Sequence, residues 1–424
     1  MKKIFLFLIT YSLMFADCGL IFAQEQNSGQ IMDRLIVEAL ENNPDLKAAE
    51  GKIESFKERP EQAGSLDEPR LGLALLNLPV NSFSFRQEPM TQKQISIMQR
   101  FPFPGKLALK SDIAEEELEI VRNEYEERKN TLIMQVKVTY QNIIFIDKSI
   151  EITEKNKTVI EGLVKTAETK YSVGKGIQQD VLRAQLELSK MMDRLIILKQ
   201  KRETAVAKLN VLLNRTTDEA FNETAPIEPT AFSMTFEDLQ KIAEDNRPRL
   251  IGARHLIEQY RLSRTLAEKE YYPDIDFGVS YGQRESSDIQ EWPDFVSASV
   301  SIKIPLWYKK KESRKVAEEE ANLRKVTEEY NTMKNAVSFQ IKDILTEIEK
   351  YDRRIELFYT GIIPQSRASL ESALSGYQVN SVDFLTLIDN QINLYNYEIE
   401  YFSAVTDHEN KLAELEAAAG KRLF

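Results

Sequence analysis

Two short stretches decide the fold: residues 275–282, Ile-Asp-Phe-Gly-Val-Ser-Tyr-Gly, and residues 296–304, Val-Ser-Ala-Ser-Val-Ser-Ile-Lys-Ile. Apolar residues alternate in both with small or polar residues, and this period of two is typical of strands that have one apolar face. A polar loop, Gln283–Asp294, separates them. The pattern predicts a β-hairpin whose polar face carries Ser297, Ser299, Ser301 and Lys303.

The same order of patterns occurs earlier in the chain, which indicates an ancient duplication. Pro44 corresponds to Pro248, Phe101 to Ile304, and Tyr171 to Tyr377 at a nearly constant spacing. In the first copy the alternation is rougher, because Ala74 and Leu76 occupy the side that should be polar. We therefore predict a unit written twice, each copy with a strand hairpin set between helices.

The helical patterns are unusually long. Apolar residues recur in steps of three and four from Leu323 to Phe358, the seam of a coiled coil, and the first copy has a related pattern from Leu118 to Ile143. A helix from Leu107 to Tyr171 measures about 97 Å. A return helix is predicted at 178–213 and leading helices at 30–64 and 236–270. The predicted fold class is mainly α with β, built from a duplicated pair of antiparallel rods and a strand hairpin.

The first residues have the features of an export signal. Lys2 and Lys3 precede an apolar stretch, and Ala23 supplies a small residue before a cleavage site. The only cysteine, Cys18, leaves lipidation as an alternative, and a retained membrane anchor is a second one. We predict a signal peptide at 1–23, a first repeat at 24–213, a linker at 214–235 and a second repeat at 236–424.

The composition argues against catalysis and nucleic-acid binding. Lys and Arg number 56 against 67 Asp and Glu, a net charge of −11, whereas a nucleic-acid binder needs a basic surface. Only two His are present, His255 and His408, both within helical patterns. Zinc, thiol and Ser-His-Asp chemistry therefore lack their residues, and we predict no enzyme, no cofactor and no metal site.

The strands imply an oligomer and a pore if they cross a membrane. In hydrocarbon every backbone N–H and C=O must be paired, so a spanning sheet has to close on itself. Four strands cannot close, and eight leave almost no lumen, whereas three chains would supply twelve strands around a channel. The polar face of the second hairpin would then line water.

These residues resemble a known family. The doubled pattern, with Phe-Pro-x-Pro-Gly-Lys at 101–106, Tyr-x-x-Gly at 171–174 and Leu-x-Ala-Gln-x-x-Leu at 182–188, is similar to the TolC family of outer-membrane efflux proteins. The stretch 77–91 looks most like the heavy-metal branch. The resemblance implies a homotrimer in outer-membrane lipid, with a twelve-stranded barrel and a periplasmic helical tunnel. It also implies a periplasmic membrane-fusion adaptor and an inner-membrane transporter of the RND type as partners.

The resemblance also implies a gate at the periplasmic end of the tunnel. Tyr377 matches a gate tyrosine of the family, and Asp389 matches the second acid of an Asp-x-x-Asp motif whose first acid is here Thr386. The arginine that usually accompanies the tyrosine is replaced by Val382. Asp180 lies on the equivalent helix of the first repeat. A ring of carboxylates there would attract cations.

Pro364 falls inside the long helical pattern of the second repeat, where it removes a hydrogen bond, so we predict a kink. Three alternatives for function remain open at this point. The chain is a metal-cation duct, a drug or protein-secretion duct of the same family, or a soluble periplasmic coiled-coil scaffold.

Overall fold

The structure is a computed structural model and describes residues 29–424, so the predicted signal peptide and Cys18 lie outside the described residues. The chain forms two compact units. The helical unit holds residues 29–48, 125–248 and 334–424, and the sheet unit holds residues 49–124 and 249–333. Each unit takes residues from both predicted repeats, and the repeat boundaries stay a prediction.

The elements occur in the predicted order, twice over. The first series comprises α1 (29–42), α2 (Pro44–Lys57), α3 (Arg59–Gly64), β1 (Arg70–Leu76), β2 (Gln92–Phe101), α4 (Lys106–Ser172) and α5 (Gln178–Leu212). The second comprises α6 (Phe236–Asn246), α7 (Pro248–Lys269), β3 (Ile275–Gln283), β4 (Phe295–Ile302), α8 (Glu312–Leu357), a π-helical segment (Phe358–Ile362), α9 (Ile363–Gln378) and α10 (Phe384–Ala419).

The predicted single leading helices are wrong, because each is broken before a proline and the first is broken again at Glu58. Proline disfavours helical backbone at the residue before it, and breaks occur at Asn43 and Arg247. Asn43 then caps the new helix, since its Oδ1 accepts hydrogen bonds from the N–H groups of Asp45 and Leu46 at 3.0 and 3.3 Å. The break is thus a helix end of its own.

The prediction of very long helices is confirmed. Helix α4 has 67 residues, and the second repeat covers the same length from Glu312 to Gln378 in three pieces. In the helical unit, α4 packs through Val136, Tyr140 and Ile143, all fully buried. Each buried large apolar side chain contributes about 1.5–3 kcal/mol. Within the part of the chain that the structure describes, no helix combines the length and apolar content needed to cross a membrane.

The sheet unit contains one four-stranded antiparallel sheet in the order β1-β2-β3-β4. The register places side chains of one kind in rows across all four strands. One row is apolar, Leu71–Ile97–Val279–Ala298, and the next row is small and polar, Gly72–Ser96–Ser280–Ser297. The predicted alternation in both hairpins is therefore present, and the large apolar side chains of the first row are exposed.

Candidate functional site

Two helix–turn–helix ends in the helical unit place the predicted gate residues. The α4–α5 turn contains Gly174 at φ +71°, and the α9–α10 turn contains Asn380 at φ +61°. Gly and Asn are the residues that most readily adopt this left-handed conformation. In each turn an N–H after the left-handed residue bonds the carbonyl oxygen five residues back, Lys175 to Lys170 and Ser381 to Gly376. Both helices, α4 and α9, therefore end in a left-handed turn.

Lys170 connects these two ends. Its Nζ donates to the backbone oxygen of Tyr377 at 2.7 Å and to Oδ1 of Asn380 at 2.9 Å. The same Nζ lies 3.7 Å from the centroid of the Tyr377 ring, a cation–π contact. A cation that bonds the last carbonyls of a helix also interacts favourably with its dipole. One lysine of α4 therefore holds the end of α9.

Asp180 of the first hairpin affects the pKa of Tyr377 in the second. Tyr377 is buried, and its ring centroid lies 5.6 Å from that of Phe384. Burial raises the pKa of Tyr377, and the charge of Asp180 adds to that effect. Burial likewise raises the pKa of Asp180, and the negative charge of Asp383 raises it further. The structure thus brings Asp180 close enough to Tyr377 for its negative charge to disfavour ionisation of the tyrosine.

Asp389 is paired within its own chain. Nη2 of Arg183 donates to Oδ1 of Asp389 at 3.2 Å, and both side chains are about half exposed. Arg183 lies on α5 and Asp389 on α10, so the ion pair joins the two hairpins. The resemblance implied a ring of carboxylates at this position, and the structure pairs this carboxylate with a cation of its own chain.

The four helix ends that carry the predicted gate residues share one packed core. Buried residues from all four helix ends form one cluster that includes Ile160, Ala167, Ala184, Leu387 and Ile388. Because such a core has few alternative packings, the polar contacts above it have defined positions.

The starts of the two return helices differ. Asp383 caps α10, with Oδ1 accepting from the N–H of Thr386 at 2.7 Å, whereas Ile177 at the start of α5 makes no side-chain cap. A helix without a cap leaves its first N–H groups to water. Hydrogen bonding with Thr386 keeps the pKa of Asp383 below its ordinary value. The two return helices therefore differ in whether a side chain satisfies their first N–H groups.

Pro364 follows a change in helix type. The π-helical segment Phe358–Ile362 ends two residues before it, and Pro364 lies in the first turn of α9. Proline cannot donate to the preceding turn and clashes with it, and a widened π turn is one way to relieve this. The predicted kink stays a prediction, because the observed effect of the proline is a change in helix type.

The predicted lumen face lies in the sheet unit. Ser297, Ser299 and Ser301 are exposed on one face of β4, while Lys303 lies just after the strand ends at Ile302. Ser299 stands opposite Gly278, and a Cβ at Gly278 would meet the Ser299 Oγ at 2.6 Å. Small residues thus face each other at Ser299–Gly278 and at Ser297–Ser280, whereas Ser301 stands opposite Asp276.

The sequence analysis assigned no role to Lys170 or to Arg183. The signal for Arg183 was the duplication, because Arg183 and Asp389 are equivalent positions with the same spacing as Tyr171 and Tyr377. No comparable signal exists for Lys170. Among residues 29–424, no three or more His, Cys, Asp or Glu side chains are arranged to hold a metal ion.

Comparison with known proteins identifies a family with this architecture. The chain matches the outer membrane efflux protein family over residues 35–215 and 239–421. No curated protein sequence matches it significantly.

Solved structures share the fold. The outer membrane protein VceC of Vibrio cholerae is 18% identical with a TM-score of 0.79, and the match covers 92% of this chain and 96% of that one. CusC is 16% identical with a TM-score of 0.75, covering 92% of each chain. The open state of the Neisseria gonorrhoeae MtrE outer membrane channel is 16% identical with a TM-score of 0.74, covering 92% and 89%.

The family match covers both predicted repeats and leaves out the segment between them. It excludes the soluble-scaffold alternative, because the members of this family are outer-membrane channels and not enzymes. It does not distinguish between the two kinds of duct. The chain belongs to the outer membrane efflux protein family, and it is a passive efflux channel of the outer membrane that extends into the periplasm.

Proposed function

We propose that three copies of the chain form one closed barrel of twelve strands. The observation that carries this proposal is the open sheet: β1 and β4 are its two edges, and each has a side with no partner strand within residues 29–424. In a membrane such edges are excluded, because each unpaired backbone group costs several kcal/mol. Eight strands would give a filled interior, whereas twelve give a lumen.

The exposed apolar face of the sheet supports the same assembly. Leu73, Val279 and Val300 are each more than half exposed, an unfavourable arrangement in water that becomes favourable against lipid. The opposite face, with Ser297, Ser299 and Ser301, would line the water-filled lumen, and Lys303 would lie at its periplasmic mouth.

The helix–turn–helix ends are proposed as the periplasmic gate, with Tyr377, Asp180 and Asp389 as its residues. Support comes from the contacts that tie the two hairpins of each chain, which are the Lys170 bonds and the Arg183–Asp389 ion pair. Opening requires these helix ends to move apart, so contacts between the hairpins stabilise the closed state.

We further propose that the channel works with a periplasmic membrane-fusion adaptor and an inner-membrane transporter of the RND type. Its exported substrate is proposed to be metal cations, on the resemblance to the heavy-metal branch. A drug or a secreted protein is the competing cargo, and deletion of the gene followed by challenge with metal salts, detergents and antibiotics separates them. Sensitivity to antibiotics without sensitivity to metals contradicts the metal proposal.

A pair of adjacent substitutions tests the barrel. Val300→Lys places a charge on the lipid-facing side, which costs about 2–4 kcal/mol near the bilayer centre. Ser299→Lys places the same charge on the lumen side, where water solvates it. We expect Val300→Lys to abolish the detergent-stable trimer, seen by native mass spectrometry, and Ser299→Lys to keep it.

The unmodified protein completes this test. It should give three chains per particle and a water-filled conductance in planar bilayers. A monomer in detergent, or equal effects of the two lysines, would contradict the barrel.

A further inference from the structure

A dense basic segment joins β4 to α8. The sequence from 303 to 315, Lys-Ile-Pro-Leu-Trp-Tyr-Lys-Lys-Lys-Glu-Ser-Arg-Lys, carries six cationic side chains and one carboxylate, in a chain of net charge −11. The two repeats differ here. Four residues, 102–105, connect β2 to α4, whereas nine residues, 303–311, connect β4 to α8, and three of these nine are the consecutive lysines Lys309, Lys310 and Lys311.

Two other cations at this end of the sheet are already paired. Lys106 is buried, and its Nζ bonds Oδ1 of Asp274 at 2.8 Å and the backbone oxygen of Tyr272 at 3.0 Å. Nε of Arg100 lies 2.9 Å from Oδ1 of Asp276. These groups complete the connection between strands and helices.

The cations of the longer connection are not paired in this way. Five exposed cations have no carboxylate in contact within residues 29–424: Lys303, Lys309, Lys310, Lys311 and Arg314. The backbone of the connection is nevertheless defined, because the N–H groups of Lys310 and Lys311 bond the carbonyl oxygen of Trp307 and that of Ser313 bonds Tyr308. The structure thus presents a fixed turn of unneutralised charge.

Large apolar side chains accompany these cations. Ile304, Leu306 and Trp307 are about 70% exposed, immediately after the strand and before the lysines. Nearby, the Tyr308 ring lies 6.2 Å from that of Tyr271. At the same end, Phe103 stacks on Tyr272 with ring centroids 4.5 Å apart. Aromatic rings at the ends of spanning segments are typical of the boundary between hydrocarbon and headgroups.

We propose that residues 304–311 form a binding surface for anionic phospholipid headgroups at the periplasmic face of the outer membrane. The orientation rests on the proposed function, in which the helices lead into the periplasm. Trp307 and Leu306 lie at the hydrocarbon boundary, and Lys309, Lys310 and Lys311 reach the phosphate groups beyond it. Basic residues beside a bilayer attract anionic lipid within about a Debye length of the surface. The first repeat lacks such a surface, so the binding surfaces recur once per chain.

Trp307 reports on this binding directly. The chain has two tryptophans, and Trp292→Phe leaves Trp307 as the single emitter. Protein reconstituted in phosphatidylcholine receives a small fraction of brominated phosphatidylglycerol or, in a parallel sample, brominated phosphatidylcholine. We expect brominated phosphatidylglycerol to quench Trp307 more strongly, and salt of about 0.5 M, where the Debye length is roughly 4 Å, to reduce the difference.

Charge removal at the surface has a matched control. Replacing Lys309, Lys310 and Lys311 by Gln should lower the preference for phosphatidylglycerol by at least ~10-fold, since each lysine near the surface contributes roughly 5-fold. Replacing Lys165, Lys201 and Lys208 by Gln makes the same change in net charge on exposed positions of α4 and α5 and should leave the preference unchanged. The single change Lys310→Gln should give part of the effect if the triple variant fails to insert.

The outcomes separate this inference from the proposed function. Equal quenching by both brominated lipids, or an equal loss in the control variant, overturns the headgroup surface and leaves the barrel intact. Absence of quenching by either lipid places Trp307 away from the membrane and contradicts the proposed orientation as well.

Discussion

Arg183 and Asp389 occupy equivalent positions of the two repeats and contact each other, with 3.2 Å between Nη2 and Oδ1. A duplicated chain that folds with its copies side by side can place a residue next to its own counterpart, and here the two counterparts have opposite charge. The ion pair therefore joins the hairpins at matching heights, close to the turns at Gly174 and Asn380.

Breaking this ion pair should favour the open channel. Arg183→Ala or Asp389→Ala removes a half-exposed ion pair, a type that contributes about 0.2–1 kcal/mol. We therefore expect the ratio of open to closed channels in planar bilayers to rise about 1.4–5-fold for each pair broken, and each chain of the proposed trimer loses one pair. Arg367 and Glu398 provide the control, since they also lie 3.2 Å apart but join α9 to α10 within one hairpin. An equal effect of Arg367→Ala would show that the hairpins are not held by the Arg183 pair.

The sign of charge at the gate gives a second prediction. Asp389→Asn should weaken block of the channel by divalent cations, because the mouth loses one carboxylate per chain. Arg183→Gln should strengthen that block, because the carboxylate keeps its charge and loses its counter-ion. Block is measured as the concentration of Mg²⁺ that halves the single-channel current. Changes in the same direction for both variants would exclude an acidic ring.

Lys170 should stabilise the closed ends more than its neighbour Lys175. Lys170→Met removes two hydrogen bonds from a charged donor and the cation–π contact with Tyr377, and we expect a loss of about 1–3 kcal/mol in the free energy of unfolding. Lys175→Met, in the exposed turn, should change it by less than about 0.5 kcal/mol. Denaturant unfolding followed by hydrogen exchange of α9 amides measures both, and similar losses would refute the role of Lys170.

Asp180 should make the hairpin ends more stable in acid. Burial and Asp383 raise its folded pKa, so the folded state binds more protons than the unfolded state at pH values just above the ordinary carboxyl range. Stability contributed by this group therefore falls as pH rises through that window. Asp180→Asn should be more stable than the parent protein near pH 7, by less than about 1 kcal/mol for a partly buried group that water still screens, and no more stable near pH 3. A constant difference at both pH values would contradict the assignment.

Cysteine labelling distinguishes the two faces of β4. Because the only cysteine lies at position 18, in the predicted signal peptide, cysteines introduced at Ser297 and at Val296 can be compared in an otherwise thiol-free mature chain. We expect Ser297→Cys in reconstituted trimers to react with a membrane-impermeant thiol reagent and Val296→Cys to be protected by lipid. The reverse order would place the serine face against the membrane.

Much of this architecture could be predicted because long periodic patterns have a single interpretation. The helix predicted from Leu107 to Tyr171 matches α4 to within one residue at each end, and the alternation at 275–282 and 296–304 gave β3 and most of β4. Breaks before Pro44 and Pro248 were missed, since an apolar stripe continues across a short interruption without a change of period.

The site could be predicted only in part. Tyr377, Asp180 and Asp389 lie at the hairpin ends, but their partners depend on how two turns meet in space. Lys170 reaches Tyr377 and Asn380 through a long flexible side chain, which no spacing in the sequence encodes. Pro364 signalled a disturbed helix, yet a bend and a widened turn relieve the same clash, and the sequence does not distinguish them.

The unequal helix starts at Ile177 and Asp383 have a consequence for the order of motion. Local unfolding costs least where amides already exchange hydrogen bonds with water, so α5 should loosen before α10. In the proposed trimer, yielding and firm segments would then alternate around the ring. The aperture would widen where the three α5 starts unfold locally, while the three α10 starts keep their helical structure.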